Sequence, residues 1–269
     1  MKIIFILVTM VTFAFSKVYY SKVEPYEIRT IASNVSGKVL FTDDNMIGKK
    51  LSSKVFIKID SQLDEDELYA VNKKLIYQKN TLLLDEKIVK NLQQALQRKK
   101  ANYESVKNLK IKSRIEKDKE FYDVVSSENA IFSTQKEMNN LKTNIADLVL
   151  RKQQLLKNID DKKISAKNFV LYDILVKAGQ SVNLSTPLAK VADTSKALLT
   201  IYLDKDDLAG LDKKIIFIDG KKTDYKISRI SYIADEKNIS KYKAQIIIKS
   251  PKVFSKLEKI ELKVNKNEK

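Results

Sequence analysis

The sequence predicts a multidomain α+β protein: a long antiparallel α-helical coiled-coil hairpin is inserted into a β-sandwich, and a small β-barrel follows. Three observations predict this fold. No glycine and no proline occurs between residues 63 and 162. The two segments that flank this run share a spacing pattern, and the chain after the second segment is rich in alternating β-branched and aromatic residues.

The composition excludes several kinds of catalytic and metal site. The 269 residues include no histidine, no cysteine and no tryptophan. Zinc sites of cysteine or histidine, Ser-His-Asp centres, Cys-His centres and disulfides are therefore impossible. The carboxylate clusters have no accompanying phosphate-binding glycine loop, so we expect no enzyme activity, no metal and no cofactor. The formal net charge is +17, but the lysines are spread along the whole chain, and we expect no nucleic-acid partner.

The first sixteen residues have the pattern of a secretory signal peptide. A short basic start precedes an apolar run from Ile3 to Phe15, and small residues at Ala14 and Ser16 fit a cleavage site after Ser16. We therefore expect export to the periplasm as a soluble protein. The apolar run is shorter than the roughly 20 residues that span a bilayer, and no cysteine follows it for a lipoprotein anchor. An uncleaved segment that acts as a weak membrane anchor is the alternative.

One small pattern occurs on both sides of the glycine-free run. The stretches VLFTDDNMIGKKL, from residue 39, and VLYDILVKAGQSV, from residue 170, both place a glycine nine residues after the first valine, at Gly48 and Gly179. Both place a branched aliphatic residue three positions later, at Leu51 and Val182. Neither stretch is long enough to bury a core alone. We predict that residues 17–62 and 164–194 supply an N-terminal segment and the two halves of one sandwich.

Turn residues are predicted at matching places in the two halves. Gly48 and Gly179 suit turns with positive φ, which glycine adopts at little cost. Gly37 in the first half corresponds to Asn168 in the second, and asparagine is among the residues that tolerate a left-handed backbone. The pattern therefore predicts four structural turn residues in the split sandwich.

Residues 63–163 are predicted to form the coiled-coil hairpin. Apolar residues recur every seven positions, which is typical of a left-handed coiled coil. The rows are Leu68, Leu75, Leu82, Val89, Leu96 and Tyr103, then Met138, Ile145 and Ile159 with Leu141, Leu148 and Leu155. The register is lost after Leu109, and Ser113 with Glu116 forms a capping-box sequence. We place the turn near residues 110–113, which leaves two arms of roughly 70 Å each.

The last part of the chain has a β texture again. Residues 195–264 contain the β-rich runs ALLTIYLD, KIIFID, YKISRISYIA and YKAQIIIKS, separated by turn signals. We predict a separate small β-barrel over this range. Residues 265–269 form a polar tail.

These features together resemble a known family. The stretches VSGKVLFTDDNMIGKKL, with FIKID, and VLYDILVKAGQSVNLSTPLAKVADTSKALLTIYLDKDDL resemble periplasmic adaptor proteins, also called membrane fusion proteins of the HlyD type. The first copy departs from the family, because Ser53 and Lys54 stand where a second glycine is usual. The resemblance implies a lipoyl-like sandwich and a homo-oligomeric ring in the periplasm. It also implies two partners, an inner-membrane transporter of the RND or ABC type and an outer-membrane channel, in an efflux or secretion system.

In the channel-docking members of that family, the hairpin tip carries a spaced set of residues. Aligning Ser113 with the serine of that set puts Glu116 and Asp118 at its two acidic positions. The leucine position is then Val106, and the arginine position is Asn102. The resemblance makes these five residues the candidate channel contacts, and the missing arginine weakens the match. A capped helix start is the simpler interpretation of Ser113 and Glu116.

Two other classes of protein stay open. One is a periplasmic coiled-coil scaffold or tether without a transporter partner, for which a split sandwich has no evident purpose. The other is a basic protein that binds nucleic acid or an envelope polymer, which would require basic residues clustered on one face with interleaved aromatic residues.

Overall fold

The computed structural model describes residues 17–234 and 241–264. The predicted signal peptide and the predicted polar tail lie outside the described residues. In the described ranges the chain forms two long α-helices and thirteen β-strands. The helices are α1 (Gln62–Val106) and α2 (Arg114–Asp161). The strands are β1 (Val18–Lys22), β2 (Glu24–Ala32), β3 (Gly37–Thr42), β4 (Ile57–Ile59), β5 (Lys163–Ile164), β6 (Val170–Ile174), β7 (Ser181–Val182), β8 (Pro187–Leu203), β9 (Lys214–Ile218), β10 (Lys221–Lys222), β11 (Ile227–Ala234), β12 (Tyr242–Lys249) and β13 (Leu257–Val264).

The predicted hairpin is present. The helices contain 45 and 48 residues, which corresponds to lengths of about 70 Å at 1.5 Å per residue. Their seam holds the heptad residues, and Leu155 is completely buried against Val71 and Leu75. Two further residues of α2, Val124 and Ile131, are buried toward the tip. The heptad rows therefore form the contact between the two helices.

Ion pairs between the helices fix the base of the hairpin. The Arg151 guanidinium donates two hydrogen bonds to the Glu67 carboxylate, each of 2.7 Å. Lys162 pairs with Asp64 beside it. Asp64 and Glu67 lie in the first turns of α1, where acidic side chains also interact favourably with the helix dipole. Acidic residues at the start of α1 therefore bind Arg151 of α2 and Lys162, the residue that follows α2.

Both flanking segments build one sandwich core, as the repeat predicts. The first segment contributes Val35, Val39, Leu51, Phe56, Ile57 and Ile59, and the second contributes Ile164, Leu171, Ile174, Val176, Val182, Leu188, Ala189 and Val191. One sheet has the strand order β5-β4-β3-β7, so strands from both sides of the hairpin pair directly. Ile59 donates its backbone N–H to the Lys162 carbonyl at 2.9 Å. The chain thus leaves and re-enters the sandwich at neighbouring positions.

The two halves exchange equivalent hydrogen bonds. The Gly48 N–H donates to the Leu171 carbonyl at 2.8 Å, and the Gly179 N–H donates to the Val39 carbonyl at 2.8 Å. The residue after each glycine completes the exchange, with Lys49 accepting from Leu171 and Gln180 accepting from Val39. Val39 therefore corresponds to Leu171, one residue later than the sequence alignment indicates. Both side chains are fully buried.

A β-bulge accounts for this offset of one residue. Leu51 accepts a hydrogen bond from the Asn168 N–H at 3.2 Å and donates to the Phe169 carbonyl at 2.7 Å, so two residues face one. Asn168 has a φ of 73°, which is the left-handed conformation of an inserted bulge residue. Gly48 and Gly179 have φ values of 79° and 92°. All three residues thus have the backbone conformation for which their residue types are suited.

The prediction of a turn at Gly37 is wrong. Gly37 is the first residue of β3, where it pairs with Val182, and it has no positive φ. A Cβ at this position would lie 2.7 Å from the Cγ2 atom of Ile59, which is completely buried. Glycine is needed here because two strands approach closely, and not because the backbone turns. The correspondence with Asn168 failed because the bulge shifts the second half by one residue.

The β-barrel module contains an N-terminal strand that the sequence did not assign to it. Its two sheets have the orders β1-β13-β9-β10 and β11-β12-β8-β2. The register of β1 against β13 runs from Val18 with Glu261 to Lys22 with Leu257. Tyr19 and Val23 enter the core with Ala197, Leu199, Ile201, Leu203, Ile216, Ala244, Ile246, Ile260 and Leu262. The first and last described strands of the chain therefore close this module together.

Two long strands connect the sandwich with the barrel. Strand β8 has 17 residues, and the predicted boundary between residues 194 and 195 falls inside it. Strand β2 accompanies it, with Ile31 opposite Ala189 in the sandwich and Glu24 opposite Leu198 in the barrel. A continuous antiparallel ladder thus crosses between the modules, interrupted only by irregularities of register.

Candidate functional site

The tip of the hairpin consists of the end of α1, the start of α2 and the turn between them. Lys107 caps α1, with its N–H donating to the Tyr103 carbonyl at 2.9 Å. Ser113 caps α2 in an extended conformation. The turn thus occupies residues 107–113, a range that includes the position predicted from the sequence.

A complete capping box begins α2. The Ser113 Oγ accepts from the Glu116 N–H at 3.2 Å, and the Ser113 N–H donates to the Glu116 carboxylate at 2.9 Å. Lys112 donates a further hydrogen bond to this carboxylate at 3.1 Å. The backbone hydrogen bond from Ser113 and the ammonium group of Lys112 hold the pKa of Glu116 below its usual value. These contacts end one helix arm and start the other at a defined residue.

The five candidate contact residues have different environments at the tip. Ser113 and Glu116 bind each other in the capping box, so their polar groups are already engaged. Val106 is half-buried at the last position of α1. Asn102 and Asp118 are exposed, and the Asp118 carboxylate lies 3.7 Å from the Arg114 guanidinium. Of the five, Asn102 and Asp118 present exposed polar side chains to a partner, and their role as channel contacts stays a prediction.

The most exposed apolar side chains of the tip were not selected from the sequence. Ile111 is 90% exposed, Ile115 is 81% exposed, and Leu109 is 42% exposed. Basic residues alternate with them, and residues 107–119 contain six basic and two acidic side chains. We call Leu109, Ile111 and Ile115 the apex. The sequence signal for the apex was the alternation of isoleucine with lysine and arginine across the break in the heptad register.

A cleft of about 480 Å³ lies directly beside the apex, between the two helices. Its lining residues are Tyr103, Lys107, Arg114, Lys117, Asp118 and Phe121. The Tyr103 and Phe121 rings contact each other with centroids 5.7 Å apart. Lys107 pairs with Glu104 on the outer side of α1. The cleft therefore has an aromatic component and three cationic side chains, with one acidic group.

The outer face of α1 carries a second exposed apolar surface. Its members are large apolar side chains of α1 that are exposed outside the seam: Tyr69, Ile76, Tyr77, Leu83, Leu84 and Ile88. We call this set the outer stripe. It begins near the base of the hairpin and extends over about 28 Å of helix. Lys73 lies over the Tyr69 ring, with its ammonium 4.6 Å from the ring centroid.

The barrel module carries an ionic cluster at the start of the described chain. Lys17 pairs with Asp204 and, at 2.9 Å, with Asp207. Tyr19 donates a hydrogen bond to the same Asp207 carboxylate. Burial raises the pKa of Tyr19 well above its ordinary value, while hydrogen bonds from Tyr19 and Lys17 outweigh the burial of Asp207 and lower its pKa. The hydrogen bonds to Asp204 and Asp207 raise the pKa of Lys17 to about 12.

The barrel also has an open cavity of about 500 Å³ between β9, β11 and β13. Apolar side chains line most of it, including Ile216 and Leu262 from the core, with Lys214 and Lys226 among its charged residues. Within residues 17–234 and 241–264, no cluster of acidic residues has the arrangement of a metal site. Across the same residues, no helix combines the length and apolar character that crossing a bilayer requires.

Comparison with known proteins gives matches in structure and none in sequence. No protein-family model matches the chain, and neither does any curated protein. MacA from Actinobacillus actinomycetemcomitans superposes with a TM-score of 0.71 at 18% identity, over 92% of this chain and 78% of that chain. The membrane fusion protein Spr0693 from Streptococcus pneumoniae R6 gives 0.59 at 13% identity, over 93% of this chain and 100% of that chain.

A third match is a chimeric protein. A chimera of MacA with the α-hairpin domain of Pseudomonas aeruginosa MexA gives a TM-score of 0.57 at 15% identity, over 93% of this chain and 81% of that chain. At such identities the likeness establishes the fold. The chain therefore has the fold of the membrane fusion proteins, with the helical hairpin and the β modules in the same arrangement.

Proposed function

We propose that the protein is a periplasmic adaptor that links an inner-membrane transporter to an outer-membrane channel in an efflux or secretion system. One observation carries the proposal: a hairpin about 70 Å long is inserted into a split sandwich, and a barrel follows on a continuous ladder. Such a body has two distant ends with different surfaces. It is suited to hold two partners apart at a set distance.

The β modules supply a stiff base for the hairpin. The strand pairs β4–β5 and β3–β7 connect the two chain segments that lead into and out of the helices. The ion pairs of Asp64 and Glu67 with α2 then carry this constraint into the first turns of the hairpin. A load on the tip would therefore reach the sandwich without a flexible joint at residues 60–64. Energy for transport would come from the transporter.

Several copies would form a ring around the transport path. The outer stripe of α1 offers an apolar surface for a neighbouring copy, and the edges of the sandwich offer a second contact. Contacts of this kind between unlike surfaces close into a ring when the rotation between copies permits it. The transporter would be of the RND or ABC type, at the end of the molecule that carries the β modules.

Site-directed crosslinking in intact cells tests the proposal. Because the chain has no cysteine, a single substitution gives a unique attachment point. We expect Asn102→Cys at the tip to crosslink to an outer-membrane channel, and Tyr20→Cys on β1 to crosslink to an inner-membrane transporter. Thr81→Cys, exposed in the middle of α1, is the matched control and should reach neither membrane protein.

The same experiment separates the adaptor from a tether. If Tyr20→Cys yields no transporter while Asn102→Cys yields only other copies of the chain, the adaptor proposal is refuted and a coiled-coil scaffold takes its place. Co-purification of a transporter and a channel with the wild-type chain, with the channel lost and the transporter retained when residues 63–162 are removed, supports the adaptor.

A further inference from the structure

We propose that the apex of the hairpin inserts into the surface of an anionic phospholipid bilayer, with the cleft beside it receiving a lipid phosphate. This binding would be a property of the tip itself and does not require a channel protein. The proposed function enters only in deciding which membrane the tip meets. The features that carry the inference are the exposure of the apex, the charge around it and the lining of the cleft.

The apex exposes apolar side chains where folding does not require them. Ile111 and Ile115 contribute almost nothing to the hairpin seam, since they are 90% and 81% exposed. An exposed isoleucine in water loses the free energy that its burial would supply. Leu109 lies in the same turn as Ile111, and Ile115 lies in the first turn of α2, so the three exposed side chains form the apolar part of the surface at the end of the hairpin. Insertion of this surface to the depth of the lipid headgroups would remove it from water.

The charge around the apex fits an anionic surface. The six basic residues between positions 107 and 119 exceed the acidic ones by four. Lys110 and Lys112 flank Ile111 in sequence, and Arg114 precedes Ile115 with a side chain that is 94% exposed. Long basic side chains of this kind can keep their charge at the headgroups while the neighbouring apolar groups enter the bilayer. A neutral or basic partner surface would not account for this excess.

The cleft provides a place for one phosphate group. Lys107 of the turn and Arg114 and Lys117 of α2 line it, together with the Tyr103 and Phe121 rings. Asp118 is the single acidic side chain in the lining and lies 3.7 Å from Arg114. Arginine and lysine are the side chains that most often bind phosphate oxygens. A headgroup held there would place its acyl chains on the side of Ile111 and Ile115.

Vesicle flotation with the full chain tests the electrostatic part. We expect binding to vesicles of phosphatidylcholine mixed with phosphatidylglycerol, weaker binding to phosphatidylcholine alone, and a decrease at high salt. Lys110→Gln together with Lys112→Gln should weaken binding roughly 25-fold, because each basic residue near an anionic surface contributes about fivefold. The matched control, Lys79→Gln with Lys87→Gln on the exposed shaft of α1, should bind as the wild type does.

A single tryptophan tests insertion directly. Because the chain has no tryptophan, the fluorescence of Ile111→Trp reports on the apex alone. We expect a blue shift when anionic vesicles are added, and no shift for the control Thr143→Trp at an exposed position of α2. Ile111→Ser with Ile115→Ser should lower binding about tenfold or more, with an unchanged circular dichroism spectrum because both sites are exposed. The apolar run from Ile3 to Phe15 is common to all variants, so it cannot cause a difference in vesicle binding between them.

Three results would overturn the inference. The first is flotation of the chain with the vesicles without a blue shift in the fluorescence of the Ile111→Trp variant. The second is release from the vesicles by millimolar inorganic phosphate at constant ionic strength, which would mark the cleft as a site for free phosphate. The third is binding to vesicles only when they contain an outer-membrane protein, which would mark the apex as a contact for an acidic protein surface. The crosslinking of the adaptor to its transporter through Tyr20→Cys is independent of all three results.

Discussion

Replacing Asp85 by leucine should stabilise the hairpin. Asp85 interrupts the heptad row of Val71 and Leu92 in the middle of α1, and it is only 9% exposed. Its Oδ2 atom has no hydrogen-bond partner. A buried polar group without a partner costs about 1–3 kcal/mol, and an apolar side chain in the seam would add part of the roughly 1.5–3 kcal/mol that burial of leucine supplies.

The net magnitude is smaller than the sum of these contributions. Leucine has more volume than aspartate at this position, and overpacking of a well-packed seam costs about 1–3 kcal/mol. The higher helix propensity of leucine adds a few tenths of a kcal/mol. We therefore expect Asp85→Leu to raise the free energy of unfolding of the hairpin by about 2 kcal/mol.

Denaturant unfolding followed by far-ultraviolet circular dichroism measures this effect, because α1 and α2 dominate the helical signal. The midpoint should move to higher denaturant concentration with an unchanged slope. Glu86→Leu, at the exposed neighbouring position, is the matched control and should change stability by less than about 0.5 kcal/mol. A midpoint for Asp85→Leu that equals or falls below that of the control would refute the idea that the aspartate weakens the seam.

Four further predictions concern the β modules. Gly37→Ala should destabilise the sandwich by about 1–3 kcal/mol through the contact with Ile59. Gly179→Asn should lower the free energy of unfolding less than Gly179→Val does, because asparagine tolerates positive φ. Equal melting temperatures for the two Gly179 variants would contradict this second prediction. Deleting residues 63–162 and joining the ends with a short linker should leave a folded β protein, since β4 and β5 already pair; a chain without cooperative unfolding would contradict this. The lowered pKa of Asp207 means that its stabilising contribution is present above its ordinary pKa of 3.8 and is lost as the pH falls through the lower folded value. The thermal midpoint of the wild type should therefore exceed that of Asp207→Asn at pH 7 and approach it in strong acid, whereas a difference that persists there would point to another cause.

The sequence predicted those parts of the fold that depend on local order. The heptad rows and the lack of glycine and proline predicted both helices, and the Ser113–Glu116 pair predicted the first residue of α2. The repeat predicted that both flanking segments share one core, and Leu51 and Val182 are both buried in it. In each case the signal is a spacing within one segment, because helical turns and caps depend on residues three or four positions apart.

The tip shows where such reasoning ends. The family pattern selected Asn102, Val106, Ser113, Glu116 and Asp118 by their spacing. The structure shows that Ser113 and Glu116 bind each other, while Ile111 and Ile115 are the exposed apolar residues. The hydrogen bonds of the capping box follow from the spacing of Ser113 and Glu116, but the exposure of Ile111 and Ile115 depends on how the turn folds, and spacing along the chain does not contain that information.

The sequence by itself determined the helical hairpin, its turn and its place between two halves of a sandwich. Only the tertiary structure decided that β1 pairs with β13, that β2 and β8 run through both modules, and that Gly37 is required by Ile59 rather than by a turn. The bulge at Asn168, which moves the repeat by one residue, also became visible only there. The physical reason is that strand partners distant in the chain are chosen by the packing of whole faces and by the closing of sheet edges. Those choices leave no fixed period in the sequence.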